Sequence, residues 1–115
     1  MASQIIYDED FAAWLEDADS GLRVAILAHV ELLKERGPHL GRPYVDSVKD
    51  SEYSNMKELR VQYRGDPWRV LFAFDPRREA VLLLGGNKAG DKRWYKANVP
   101  IADERFRRHL ASSEE

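Results

Sequence analysis

The stretch KELRVQYRGDPWRVLFAFDPRREAVLLLGG, from Lys57 to Gly86, limits the possible folds more than any other part of this chain. KELRVQYR alternates, with Leu59, Val61 and Tyr63 on one side and Glu58, Arg60, Gln62 and Arg64 on the other. WRVLFAFD alternates as well, with Trp68, Val70, Phe72 and Phe74 against Arg69, Leu71, Ala73 and Asp75. A period of two marks a half-buried strand. The joining segments, GDP and PRRE, are turn sequences much too short for a parallel crossover. The three strands must therefore form an antiparallel meander. The last, AVLLLGG, is continuously apolar, which predicts a central strand covered on both faces.

Upstream, SQIIYDE (Ser3–Glu9) is β-prone and predicts a first strand. In DEDFAAWLEDA, Phe11, Trp14, Leu15 and Ala18 fall at helical spacing, and Asp8, Glu9 and Asp10 sit where a helix N-terminus favours negative charge. DSGLRVAILAHVELLKERG carries one apolar stripe of Leu22, Ala25, Ile26, His29, Val30 and Leu33. Asp19 or Ser20 can cap its start, and Gly37-Pro38 stops it. No period emerges from Pro38 to Asn55, which predicts an irregular connection long enough to be functional. PIADERFRRHL predicts a closing helix from Pro100, with Ile101, Phe106 and Leu110 to pack, and ASSEE a frayed tail. The order β-α-α-β-β-β-α predicts an α+β sandwich, one domain over residues 1–115, with the antiparallel sheet packed against the two N-terminal helices.

Composition removes whole classes of function. Without cysteine there is no disulfide framework and no thiolate metal site. His29, His39 and His109 lie far apart without ligand spacing, so neither a metal nor a cofactor is expected. No apolar run approaches the ~18 residues of a membrane span. MASQIIYDEDF lacks the basic start and apolar region of a signal peptide, and a cytoplasmic protein is expected. The net charge of −2 hides an asymmetry: residues 1–56 carry −6 and residues 57–115 carry +4. That balance disfavours a broad nucleic-acid coat but permits one focused anion-binding face.

A turn around Gly65-Asp66 would put Arg60 near Leu71 and Arg69 near Gln62. Arg60, Gln62 and Arg69 then share one sheet face, and the aromatic face of Tyr63, Val70, Phe72 and Phe74 lies beneath the helices. Arginine suits bidentate contact with phosphate oxygens. Mid-strand arginines also pair with carboxylates such as Glu58 or Asp75 across strands, and the residues alone leave both uses open. Gly85 and Gly86 permit a sharp bend or close approach to a ligand, with Lys88 beyond them near the arginine face. Lys92, Arg93, Trp94, Tyr95 and Lys96 add a cationic segment with two rings. Such groups hold phosphates and stack unpaired bases. Equally, the rings can anchor the final helix; Trp94 is the better anchor and Tyr95 the better functional ring.

The segment NMKELRVQYRGDPWRVLFAFDPRREAVLLLGGNKAGDKRWYKANVPIADERFRRHL resembles the HigB-like toxins of the RelE/ParE superfamily, in the branch related to phage-derived host-killing proteins. The features that carry the resemblance are KELR, RVLFAFDP, LLGGNK and WY before a final helix, in the right order over nearly half the chain. The resemblance implies a β-α-α-β-β-β fold and the toxin role in a type II toxin–antitoxin system. It implies an endoribonuclease that cleaves messenger RNA on the translating ribosome, with a HigA-like helix-turn-helix antitoxin as partner. Carried onto matching positions, it offers Arg60, Arg69, Lys88 and Tyr95 as the catalytic set. Lys57, Gln62, Lys92, Arg93 and Trp94 are the accompanying RNA contacts. Some HigB branches use site histidines, but here none lies between Lys57 and Arg108.

Metal-independent cleavage requires in-line attack of a 2′-hydroxyl on phosphate. Arg60 and Arg69 would stabilise the charge developing at phosphorus. Tyr95 or Lys88 would act as base, with the cationic surroundings expected to lower the pKa of each. Two other readings compete: a non-catalytic ParE-like toxin that blocks a protein such as gyrase, and a small protein that only holds RNA through its basic face. Neither needs Arg60, Arg69 and Lys88 to converge for chemistry.

Overall fold

A computed structural model of the chain describes residues 2–113. The elements are β1 (Ile5–Tyr7), α1 (Glu9–Asp17), α2 (Ser20–Arg36), β2 (Val45–Ser47), β3 (Lys57–Tyr63), β4 (Asp66–Phe74), β5 (Ala80–Asn87) and α3 (Trp94–Ser113). The strands form one sheet in the order β1-β5-β4-β3-β2. All neighbours are antiparallel except β1, which lies parallel to β5. This is the expected α+β class. Among the described residues no helix is long and apolar enough to cross a membrane.

Capping sets the helix starts. The Asp8 carboxylate accepts hydrogen bonds from the backbone N–H groups of Asp10 and Phe11 at 3.0 and 3.2 Å. Asp19, rather than Ser20, caps α2, accepting from the Leu22 N–H at 3.3 Å. Each satisfies donors that a helix start leaves orphaned. Gly37 ends α2 with φ at 58°, in the left-handed region.

The sheet carries a core on each face. On one, Phe11 and Leu15 of α1 and Leu22, Ile26, Val30 and Leu33 of α2 pack on Leu59, Val61, Val70, Phe72 and Leu82. On the other, Val99, Ala102 and Phe106 of α3 cover Leu71, Ala73, Val81 and Leu83. Each fully buried large side chain contributes ~1.5–3 kcal/mol. The apolar run of β5 is buried on both sides, as its composition predicts.

Five expectations need correction. First, the hairpin turn is Arg64-Gly65, both at positive φ (52° and 82°), so Asp66 and Pro67 already belong to β4. Two residues at positive φ match the twist of paired strands. Arg60 therefore lies directly opposite Arg69, and Gln62 opposite Pro67. The shift is by two residues, which leaves Arg60, Gln62 and Arg69 on one face. Second, the connection after α2 contains β2, whose Val45 faces Leu59. Third, α3 starts at Trp94 and holds Pro100 inside it. Trp94 and Val99 are buried, and their packing carries the helix past the proline, whose outward position costs no core contact. Fourth, Ile101 points outward and is 43% exposed, because burial of Val99, Ala102 and Phe106 sets the helix phase. Fifth, within the expected frayed tail Ala111–Ser113 are helical, and Glu114 and Glu115 lie outside the described residues.

The two glycines of β5 have a different use from the expected bend. The β4–β5 register slips between Leu71, opposite Leu84, and Phe72, opposite Leu82. Leu83 is the extra residue of this bulge. Beyond it Gly85 lies opposite Val70 and Gly86 opposite Arg69. A Cβ on Gly85 would come within 2.4 Å of the Trp14 ring, and one on Gly86 within 2.8 Å of the Trp94 indole. The strand continues to Asn87, and each glycine seats a tryptophan, from opposite sides of the sheet.

Candidate active site

Where α3 begins, the second face of the sheet turns from apolar to charged. Alternation along β3 puts Glu58, Arg60 and Gln62 there, and β4 adds Arg69 opposite Arg60. Glu58 is buried, 5% exposed, at the centre of the group. Its Oε1 accepts a 2.5 Å hydrogen bond from the Tyr95 hydroxyl. Arg69 Nε lies 3.6 Å from the same oxygen, and Arg60 Nε 3.7 Å from Oε2. Lys88 Nζ sits 5.5 Å from the centroid of the Tyr95 ring, a cation–π distance.

Arg60, Arg69 and Tyr95, from two strands and a helix, thus meet at one carboxylate, Glu58, which the sequence offers as a cross-strand partner. Lys88, just beyond the end of β5, adjoins them over the Tyr95 ring. Glu58 was findable: it lies in the KELR motif on the arginine side of β3, and a carboxylate between guanidiniums belongs to either a structural pair or a site. Asp75, the other suggested partner, instead takes His109, at 2.9 Å.

The structure divides the two arginines. Arg69 is 4% exposed. Its Nη1 donates to the Trp68 carbonyl at 3.0 Å, and its Nε has no hydrogen-bond partner. It is placed to hold Glu58. The Arg60 side chain, though paired with Glu58 through Nε, is 37% exposed and so accessible to an anion from solvent.

Tyr95 departs from expectation. Its pKa is raised above the ordinary value, chiefly by burial and next by Glu58, which outweigh the lowering by Arg69. The hydroxyl is placed as a donor to Glu58.

The remaining predicted contacts scatter. Gln62 is exposed on the arginine face, and Lys92 and Arg93 are exposed in the turn before α3. Lys57 faces Phe72 across the ladder, and the pleat sends its side chain to the side opposite Glu58. Trp94 is 4% exposed, packed on Gly86 and edge-on to Tyr95 at 5.2 Å, so it has no ring face to offer a base. Among the described residues no group of three or more histidine, aspartate or glutamate side chains is arranged to hold a metal.

A family model described as "Phage derived protein Gp49-like (DUF891)" matches residues 13–107. The chain is 51% identical over 100 residues to "Putative toxin HigB3" of Mycobacterium tuberculosis, covering 86% of each chain. It is 46% identical over 109 residues to "Putative toxin HigB2" of the same organism, covering 93% of this chain and 54% of that one. The chain therefore spans about half the length of the second relative.

Proposed function

Because the chain belongs to the Gp49-like family of phage-derived proteins and is HigB-like, we propose that it is the toxin of a toxin–antitoxin pair and acts as an endoribonuclease on messenger RNA at the ribosome. Its partner in that reading is a HigA-like helix-turn-helix antitoxin. The toxin role rests on the relatives. The chemistry rests on one observation, the buried Glu58 carboxylate held between Arg60, Arg69 and the Tyr95 hydroxyl.

Glu58 takes the proton of the attacking 2′-hydroxyl. The 2′-oxygen bonds to phosphorus as the bond to the 5′-oxygen breaks, leaving a 2′,3′-cyclic phosphate. Arg60 meets the negative charge that builds on the phosphoryl oxygens, the kind of fixed cation that contributes most to such reactions. The Lys88 ammonium returns a proton to the departing 5′-oxygen. Arg69 and Tyr95 position Glu58. The ribosome supplies the in-line geometry that a small open site does not impose by itself.

Induced expression in bacterial cells of the wild type beside Arg60→Ala tests this, with growth followed and messenger RNA 5′ ends mapped. The wild type is expected to arrest growth and create new 5′ ends inside coding regions; Arg60→Ala should lower cleavage ~10²–10³-fold. Arrest without new ends would favour a toxin that blocks a protein target.

A further inference from the structure

Two adjoining clefts open beside Tyr95, one of them bordered also by Glu58. One, of about 270 Å³, is lined by Ser47, Val48, Lys49, Asp50, Glu58 and Tyr95. The other, of about 380 Å³, is lined by Lys49, Asp50, Tyr95, Lys96, Val99 and Pro100. Lys49, Asp50 and Tyr95 border both.

Two locally disfavoured backbone choices meet here. Asp50 has φ at 68°. Arg64 and Arg78 also have positive φ, but they sit in the tight turns of the β3–β4 and β4–β5 hairpins, whereas Asp50 sits in the longer loop that joins β2 to β3. Such conformations cost stability and gather at ligand sites. Pro100, inside α3, has no N–H to offer the Lys96 carbonyl. The Asp50 side chain is exposed, and among the described residues it makes no ion pair and accepts no hydrogen bond. The backbone beside it is firmly placed: Ser51 Oγ and the Glu52 N–H both donate to Asp103, buried on α3, at 2.5 and 2.9 Å.

We propose that the double cleft is a nucleotide subsite, in which the base beside the scissile phosphate lies against Val99, Pro100 and the Tyr95 ring and is read by Asp50, which selects guanine. This rests on the nuclease reading. A carboxylate offers two acceptors and no donor. Guanine alone among RNA bases presents two adjacent N–H donors, N1–H and N2–H, on its Watson–Crick edge. The other three bring at least one acceptor against the negative charge. Unpaired bases are read on that edge, and Lys49 and Lys96 stand at the rim for flanking phosphates.

The test incubates the purified full chain with ribosomes programmed by messenger RNAs carrying a randomised codon, and counts new 5′ ends. Asp50→Asn keeps a residue that tolerates positive φ while replacing one acceptor oxygen by a donor. The wild type is expected to cut beside guanine, and Asp50→Asn to lose that preference by about 5- to 150-fold, as for loss of one bidentate pair, read as the ratio of cuts beside guanine to cuts beside the other bases. Cleavage by the wild type without preference for guanine would overturn the subsite, as would an unchanged preference in Asp50→Asn. Loss of all cleavage in Asp50→Asn with a normal melt would place Asp50 in the chemistry and overturn the selective role. If the folded wild type cleaves nothing, the nuclease reading falls, and the subsite with it.

Discussion

Under α1 and α2, β3 and β4 present Leu59, Val61, Val70 and Phe72, each fully buried. On the reverse face the same two strands present Ala73 and Leu71, then Glu58 directly opposite Leu71, and beyond it Arg60 opposite Arg69, and Gln62. The first face is closed along its length by two helices. The second is closed by one helix, and the charged side chains lie where α3 begins. A sheet strand can therefore serve packing and chemistry at once, because alternation separates the two and helix coverage decides where chemistry begins. The rigid apolar face holds the backbone that aims Glu58 and the arginines.

Glu58→Gln breaks this contrast most sharply. It preserves shape and leaves the first face untouched, but it leaves the buried Arg69 guanidinium without its carboxylate. The melt should therefore stay cooperative at a lowered Tm, with a loss of ~3–5 kcal/mol. At temperatures where the variant remains folded, cleavage should fall ~10²–10⁴-fold, the usual contribution of a general base. The measurement is the cleavage rate on ribosome-bound messenger RNA beside a thermal melt. Retained cleavage would mean that Glu58 only neutralises arginines.

The two glycines sharpen it further. Gly85→Ala pushes on Trp14 and Gly86→Ala on Trp94, and overpacking of either kind costs ~1–3 kcal/mol. Both variants should lose stability in chemical denaturation. Only Gly86→Ala should also lose activity at temperatures where it remains folded, because Trp94 adjoins Tyr95. Equal activity loss in both would contradict the separation of the faces.

The smallest structural change is Tyr95→Phe. Removing the hydrogen bond that the hydroxyl donates to the Glu58 carboxylate costs ~1.5–3 kcal/mol. The pH dependence is more telling. The native state holds the Tyr95 proton more tightly than the unfolded chain, in which tyrosine titrates near 10. The stability from that proton is intact below about pH 10 and is lost as pH rises through the higher native value. Urea unfolding from pH 8 to 11 should show the wild type weakening above about pH 10, and Tyr95→Phe weakening less, with Tyr7 and Tyr63 common to both.

What could be read in advance follows the strength of the local signal. The meander was legible because three long strands alternate and their turns are short. The arginine face was legible even though the register was two residues off, since a shift of two preserves which side chains share a face. The three-residue β2 carries too little pattern to stand out and exists through its pairing with β3. The start of α3 was hidden because Pro100 resembles a helix opening, while tertiary packing of Trp94 and Val99 overrides it. Tyr95 is legible as the ring beside the arginines, but its burial against Glu58, which raises its pKa, is a tertiary property that the count of neighbouring cations does not carry. Lys57 shares a motif with Arg60 but, at odd spacing from it, belongs to the other face.

The most direct measurement is the chemistry of the RNA ends left by the purified chain on translating ribosomes, wild type beside Glu58→Gln. The wild type should leave 2′,3′-cyclic phosphate and 5′-hydroxyl ends, and Glu58→Gln, assayed at a temperature where its melt shows it folded, should leave the RNA nearly intact. Undiminished cleavage by Glu58→Gln, or translation stopped by the wild type with every message whole, would contradict the assignment of this charged cluster to RNA cleavage.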